Sequence, residues 1–366
     1  MKVGLVVPGG VDRSGTERVI PALLGLIRRL ARRHELHVFS LFQEDAPGDW
    51  DLLGARVHNI GRGRTAWRGL REIRREHRRA PFDVLHAIWA SPTGTLAAVA
   101  GRLLRRPVIV HLFGGELVSL PAVGYGERRT RTGRLRVRIG THGAACVTAQ
   151  SEPLVALAAQ RGIRAVRVPL GVDLDAWPAV LPRPRANGSP FRLVHVASLN
   201  AVKDPDTLLT AMAALREQGT RFTLDIIGED LTGGRIRARA AALGLGADVR
   251  FRGPFPQPAV RVRVLESDLL VMTSLHEGGP MVLAEAATCG VPTVGTHVGQ
   301  IAEWAPDAAL TVPVGDAGAL AAAIARLAAD DALRLRIAGA AQRRALAEDA
   351  DWSAARIDDL YRQVTA

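Results

Sequence analysis

The chain has 366 residues, 48% of them hydrophobic, and only two cysteines, Cys146 and Cys289. That is enough apolar material for two ordinary domains and too little sulfur for a disulfide framework or a cysteine-rich zinc site, so a reducing cytosol is the expected setting. The net charge of +12 is lopsided: residues 1–180 carry 28 basic and 15 acidic side chains, and residues 181–366 carry 20 and 21. The expected neighbour of the first half is therefore an anionic surface, a nucleic acid or a phosphorylated substrate.

In chain order, KVGLVVP reads as a buried strand. Pro8 and Gly9 cut its apolar run too soon for a signal peptide. No uncharged run reaches the ~18 residues that span a bilayer. The Gly-rich GGVDRSGTER leads into a helix over VIPALLGLIRRLARR, followed by the strands ELHVFSLF and ARVHNI. TAWRGLREIRREHRR places Trp67, Leu70 and Ile73 at near-helical spacing among arginines. It predicts an amphipathic helix that covers a sheet or lies on an anionic membrane. FDVLHAIW, TGTLAAVAGRLLRR and PVIVHLF read as strand, helix and strand. YGERRTRTGRLRVRIG gathers Arg128, Arg129, Arg131, Arg134, Arg136 and Arg138, whose plainest reading is a solvated face. ACVTAQ and AVRVPLGVD close this half, and the Pro-rich, aperiodic LDAWPAVLPRPRANGSP reads as a linker.

The second half restarts with the strand FRLVHVASL, the helix DPDTLLTAMAALREQG, the strand FTLDIIG, the helix RIRARAAALG and the strand DVRFRG. DLLVMTS is a strand leading through HEGGP into the helix MVLAEAATCG. VPTVGT and LTVPV are short strands, and the remainder is helical. Strands alternating with helices imply α/β: two Rossmann-like, doubly wound domains facing a central cleft. The expected boundaries are 1–173, a linker over 174–190, and 191–351.

Lysine occurs only at Lys2 and Lys203, against 46 arginines. GC-rich coding accounts for the scarcity but not for the survivor at 203. A position that needs a compact point charge resists Arg, so Lys203 is a candidate before any motif is considered.

The most informative stretch is Ser274–Gly290, SLHEGGPMVLAEAATCG. Gly278 and Gly279 let a ligand approach the backbone, and Pro280 suits the first turn of a helix. The N–H groups of Met281, Val282 and Leu283, with the helix dipole, would form an anion site. Glu277 before the helix and Glu285 inside it suit a ligand with hydroxyls on both sides of a diphosphate, as a nucleotide sugar has. The plainer reading makes Glu277 a capping residue and puts Glu285 on a solvated face.

Glu277 and Glu285 form E-x7-E in an EGGPMVLAEA context, followed by GVPTVGTHVGQIAEW. This resembles the donor-site signature of glycosyltransferase family 4, whose members are retaining enzymes with the GT-B fold. GTERV (Gly15–Val19), FDVLHAIW, VPLGVD (Val168–Asp173) and VASLNAVKDPDTLL (Val196–Leu209) resemble further family segments in order and spacing. The resemblance covers about the whole chain. It implies a hexose-type transfer from a UDP- or GDP-sugar to a glycan, lipid-linked or small-molecule acceptor. It also implies a last helix, 352–366, that crosses back to the first domain.

Carried over by position, Lys203 reaches the donor diphosphate, Glu277 the hydroxyls of the transferred sugar, and Glu285 the ribose. Gly15 lets the first domain close over the donor. Gly278, Gly279, Met281 and Val282 line the phosphates. A fixed cation and aligned N–H groups would do what a metal does elsewhere, so no metal and no cofactor is expected. Ser198 stands where the family has Arg, Leu170 where it has Asn, and Phe113 where it has His. His111, two residues earlier on the same strand face, is either a partial substitute or a histidine packed beneath the cleft. Arg128, Arg129 and Arg131 fall on the family's acceptor side, where a phosphorylated or lipid-linked acceptor and peripheral contact with the inner face of an anionic membrane are expected.

Other classes fare worse. No nucleic-acid motif accompanies the charge, and aromatics are only 4%. GGVDRSG is neither a P-loop nor G-x-G-x-x-G. No G-x-S-x-G elbow is present. His86, His142 and His276 lack metal-ligand spacing, and Cys289 reads as core. The remaining alternatives are a nucleotide-sugar 2-epimerase of GT-B type and a nucleic-acid-binding protein with a degenerate sugar site.

Overall fold

The computed structural model describes residues 1–186 and 188–366. They fall into two compact units, residues 1–171 with 350–366, and residues 172–349.

The first unit runs β1 (Lys2–Val7), α1 (Pro21–Ala31), β2 (Glu35–Ser40), β3 (Gly48–Leu52), β4 (Ala55–Asn59), α2 (Thr65–Arg79), β5 (Val84–Ile88), α3 (Thr95–Leu104), β6 (Val108–Leu112), α4 (Arg131–His142), β7 (Cys146–Ala149), α5 (Glu152–Ala159) and β8 (Val166–Arg167). The second runs β9 (Phe191–Val196), α6 (Pro205–Glu217), β10 (Phe222–Ile227), α7 (Arg235–Ala242), β11 (Val249–Gly253), α8 (Gln257–Glu266), β12 (Leu269–Met272), α9 (Met281–Thr288), β13 (Thr293–Thr296), α10 (Gly299–Trp304), β14 (Leu310–Val312), α11 (Ala317–Ala329) and α12 (Asp331–Ala347). α13 (Ala350–Thr365) belongs to the first unit.

Both units are α/β. The first sheet has the order β3-β4-β2-β1-β5-β6-β7-β8 and is parallel except for β3 against β4. The second has the order β11-β10-β9-β12-β13-β14 and is parallel throughout. Parallel strands are covered on both faces, which is why β1 and β12 are buried at every position. In the second unit Leu193 and Leu224 join a cluster with Leu208, Met212 and Ile324, while Val194 and Leu270 face Leu283, Ile301 and Trp304. The strand order reverses between β1 and β5 in one sheet and between β9 and β12 in the other. Loops leaving the carboxyl ends of strands at such a reversal part to opposite faces and open a crevice, the usual ligand site of these folds.

Four features differ from the sequence reading. β3 is an added antiparallel edge strand, joined to β4 by a tight turn in which Leu53 and Gly54 both take positive φ. The arginine-rich stretch contains a helix, α4, whose Thr130 cap accepts from Gly133 N–H at 2.9 Å. AVRVPLGVD contributes only the two residues of β8 to the sheet. The expected linker is docked on the second unit. Trp177 is buried, Val180 N–H donates to Thr288 O at 2.9 Å, and Arg185 donates to Ala328 O at 2.8 Å. Asn187, within that segment, lies outside the described residues.

α13 completes the first unit. Asp351 pairs with Arg29 of α1 at 2.9 Å, Ser353 Oγ accepts from Gly171 N–H at 2.8 Å, and the Tyr361 hydroxyl lies 2.8 Å from His86 Nδ1. Among the described residues no helix is long and apolar enough to cross a membrane.

Candidate active site

In the second unit, the loops after β9 and β12 leave the two strands that flank the reversal. The first folds into a short 3-10 turn, Ala201–Lys203, because the Asn200 side chain accepts from Lys203 N–H at 3.2 Å. Asp204 then caps α6 through Thr207 N–H, with Pro205 at the first helical position. The two loops are cross-tied. Leu275 N–H donates to Val202 O at 2.8 Å, and Thr273 Oγ1 donates to Lys203 O at 2.8 Å. The Lys203 backbone is therefore fixed on both sides.

Its ammonium meets Glu277. Lys203 Nζ lies 2.5 Å from Glu277 Oε1, and Ser274 Oγ donates to the same oxygen at 2.6 Å. The Glu277 loop is pinned from behind as well, since Gln300 N–H donates to Gly278 O at 3.1 Å. Gly299, at φ +49°, passes so close that a methyl there would lie 2.4 Å from Glu277 O. Gly278 and Gly279 do not take positive φ, so what they supply is room rather than a special backbone conformation.

α9 starts at Met281, with Pro280 as its extended N-cap rather than its first helical residue. Leu283 N–H donates to Pro280 O at 3.0 Å. Of the three N–H groups expected to face a ligand, those of Met281 and Val282 remain, at the positive end of the helix. Glu285 sits one turn inside α9 and is buried, not on a solvated face. Gln257 Nε2, at the start of α8, donates to it at 3.1 Å, while Trp177 Nε1 donates to Gln257 Oε1 at 3.1 Å. Burial pushes the Glu285 carboxyl up to about 7.

The sequence reading passed over Gln257, Asn200, Ser274 and Gly299, and also His195. His195 is buried on β9, with Nδ1 2.9 Å from Val271 O. Burial pushes it down to about 4, so a neutral imidazole underlies the Lys203–Glu277 pair, whose charges it senses. Ser198 is half-buried at the end of β9, against which Gly228 closes so tightly that a Cβ there would meet Ala197 O at 2.0 Å.

In the first unit, Gly15 has φ +68° in the loop after β1 and donates to Asp12 O at 2.9 Å. Gln43 Oε1 accepts from Gly10 and Val11 N–H at 2.7 and 2.9 Å, which holds this loop on β2's end. His111 is fully buried and bonded to Thr148 Oγ1 at 2.7 Å, and burial pushes it down to about 3. Phe113 covers it, edge to face at 5.2 Å, and stacks on Trp89 at 4.2 Å. His111 is thus packed beneath Phe113. Glu116 was also missed. It is buried and accepts from Ala90, Phe113 and Gly114 N–H at 3.3, 3.1 and 2.7 Å, tying together the ends of β5 and β6. Trp89, Phe113, Tyr125, Glu127 and Arg129 line a pocket of about 500 Å³. Arg128 is half-buried beside it, and Arg131 is exposed at the start of α4.

Residues 181–344 match the family model described as glycosyl transferases group 1, and residues 19–171 the one described as glycosyl transferase 4-like domain. EpsF of Bacillus subtilis (strain 168), a glycosyltransferase by name, is 29% identical over 310 residues, covering 79% of this chain and 78% of its own. Sucrose-phosphate synthase from Thermosynechococcus elongatus superposes with a TM-score of 0.82 at 20% identity, over 100% of this chain and 99% of that one. Anabaena HepE, solved in complex with UDP-glucose, gives 0.76 at 18% identity, over 99% and 100%.

Proposed function

Because the chain belongs to the GT-B glycosyltransferases of the family 4 type, which take nucleotide-sugar donors, we propose that it moves a hexose from a UDP- or GDP-sugar to a glycan, lipid-linked or small-molecule acceptor, retaining the anomeric configuration and needing no metal ion. The observation that carries this reading is the Lys203–Glu277 pair, at 2.5 Å, fixed between the two loops at a strand-order reversal and beside the start of α9. HepE's complex with UDP-glucose supports a uridine donor.

The chemistry follows from where charge develops. Breaking the anomeric bond leaves negative charge on the diphosphate and positive charge on the sugar. Lys203 and the Met281 and Val282 N–H groups stabilise the first, with Gly278, Gly279 and Ser198 leaving room for the phosphates. Glu277 holds hydroxyls of the transferred sugar and keeps Lys203 aimed. Glu285, oriented by Gln257, binds the ribose hydroxyls. Gly15 lets the first unit's loop approach the donor. Phe113, Arg128, Arg129 and Arg131 receive the acceptor, with His111 packed behind Phe113. The setting we propose is cytoplasmic, peripheral at the inner face of the membrane, in the building of a cell-surface polysaccharide.

The test is a panel of UDP- and GDP-sugars, read by thermal shift, hydrolysis and the anomer of the product by NMR, with and without EDTA. Consumption of one sugar with retained configuration, unaffected by EDTA, is expected. No binding or turnover of any member overturns the donor assignment. An inverted product overturns retention. Loss with EDTA and recovery with Mn²⁺ overturns the metal-free site.

A further inference from the structure

Some basic residues of the first unit have acidic partners and others do not. On α2, Arg75 and Arg79 pair with Glu72 and Glu76, and the exposed Trp67 is flanked by the Arg71 guanidinium, 5.6 Å from its ring centroid. α3 and α4 differ. Residues 84–115 and 128–151 contain no Asp or Glu at all. Arg102, Arg105 and Arg138 have no carboxylate partner among the described residues.

The same two helices expose aliphatic side chains. Val99 and Leu103 on α3 are 40% and 56% exposed, and Leu135 and Ile139 on α4 are 58% and 38% exposed. Each pair is spaced i, i+4, so each forms a row along its helix. α4 packs closely on α3 where side chains are missing: a Cβ on Gly140 would lie 3.2 Å from Thr95 N at the start of α3, and one on Gly143, just past α4, 2.7 Å from Ala98 Cβ. Val99, Leu135 and Ile139 line a groove of about 820 Å³ between the helices, and Arg102, Arg105 and Arg138 line its sides.

We propose that this α3–α4 ridge docks the protein on an anionic lipid bilayer. The inference rests on the membrane-peripheral part of the function proposed above and places that contact on a specific surface. Two aliphatic rows enter the acyl boundary while long arginine side chains reach back to the headgroup phosphates. Charge complementarity selects the occupant, since no carboxylate in either stretch repels a lipid phosphate. α2, with its acidic residues and a single exposed aromatic, is the less suited neighbour.

The experiment is co-sedimentation of the full chain with vesicles of phosphatidylcholine alone or mixed with phosphatidylglycerol, at low and moderate salt. Wild type should bind only the mixed vesicles, and less as salt rises. Arg102→Gln/Arg105→Gln/Arg138→Gln should lower partitioning about a hundredfold at low salt. Leu103→Asn/Leu135→Asn should lower it about tenfold, with the salt dependence kept. Trp67→Ala/Arg71→Gln on α2 should change it little. These side chains are exposed, and unchanged thermal unfolding will show that each variant is folded. UDP binding, measured in parallel, should be the same in all of them. Absence of UDP binding would fail the uridine-donor reading alone. Several results would overturn the docking surface: no binding of wild type to anionic vesicles, equal binding by the arginine variant, or loss caused by the α2 variant instead. A dimer broken by the leucine variant, with no vesicle binding, would give the ridge to a second copy and also overturn it.

Discussion

Lys203 and Glu277, 74 positions apart in sequence, share a 2.5 Å contact that neither side chain reaches by its own loop alone. The contact exists because Thr273 and Leu275 tie the backbones of the two loops together before the side chains meet. Glu277 therefore does two jobs in the proposed reaction, one toward the sugar and one toward the lysine.

Lys203→Ala should lower kcat by roughly 10²–10³, the usual cost of one preorganised charge-stabilising group. The fold should be intact, since Lys203 holds its turn through backbone atoms. Lys203→Arg should not restore activity, because the planar guanidinium cannot take the place of a point charge in this tie. Turnover by either variant at the wild-type rate would remove Lys203 from the chemistry.

Glu277→Ala and Glu285→Ala should differ in kind. Glu285 lies on the proposed ribose side, where contacts are the same before and during reaction, so its loss should mainly raise KM. Glu277, in the proposed reaction, holds the sugar at the bond that breaks, so its loss should mainly lower kcat. The two effects exchanged, or absent, would reverse or cancel these roles.

The buried Glu285 makes a pH prediction. Its carboxyl is pushed up to about 7, above its value in an unfolded chain. Between roughly pH 4.3 and 7 the folded state binds more protons than the unfolded state, so this group's contribution to stability falls as pH rises. Glu285→Gln should remove that slope and gain on wild type by at most about 4 kcal/mol at pH 8. Urea unfolding at pH 5 and pH 8 measures it, and a variant no more stabilised at pH 8 than at pH 5 would disprove the cause.

Gly299→Ala tests how the Glu277 loop is held. A methyl at φ +49° would come 2.4 Å from Glu277 O, so the loop must shift or α10 must move. The expected result is a loss of about 1–3 kcal/mol in stability with a larger proportional loss of turnover. Wild-type kinetics would mean the loop tolerates displacement.

The sequence exposed those parts of the site that are locally encoded. Gly-Gly-Pro after an apolar strand announces a helix start in any context, and a lone lysine among arginines draws attention by composition. Gln257 and Trp177 were hidden because their roles come from packing against α9, many residues away. β3 was missed because its turn lacks the Asn-Gly or Asp-Gly signal: Leu53 takes the positive φ instead. α4 was masked by the alternation RLRVRI, which has the period of a strand. Its helix depends on the Thr130 cap and on two glycines whose use is visible only where they meet Glu127 and Ala90.

Because α13 belongs to the first unit, the last element of that unit is made after the whole of the second. Residues 172–349 are a continuous stretch, so the second unit can close as soon as it has emerged. The first unit was made earlier yet must wait, with His86 Nδ1 and Gly171 N–H lacking the Tyr361 and Ser353 partners they have in the finished protein. A released chain that ends before Ala350 would have a closed second unit and a first unit that is still open, and chaperone capture or proteolysis of such a product should concentrate on residues 1–171.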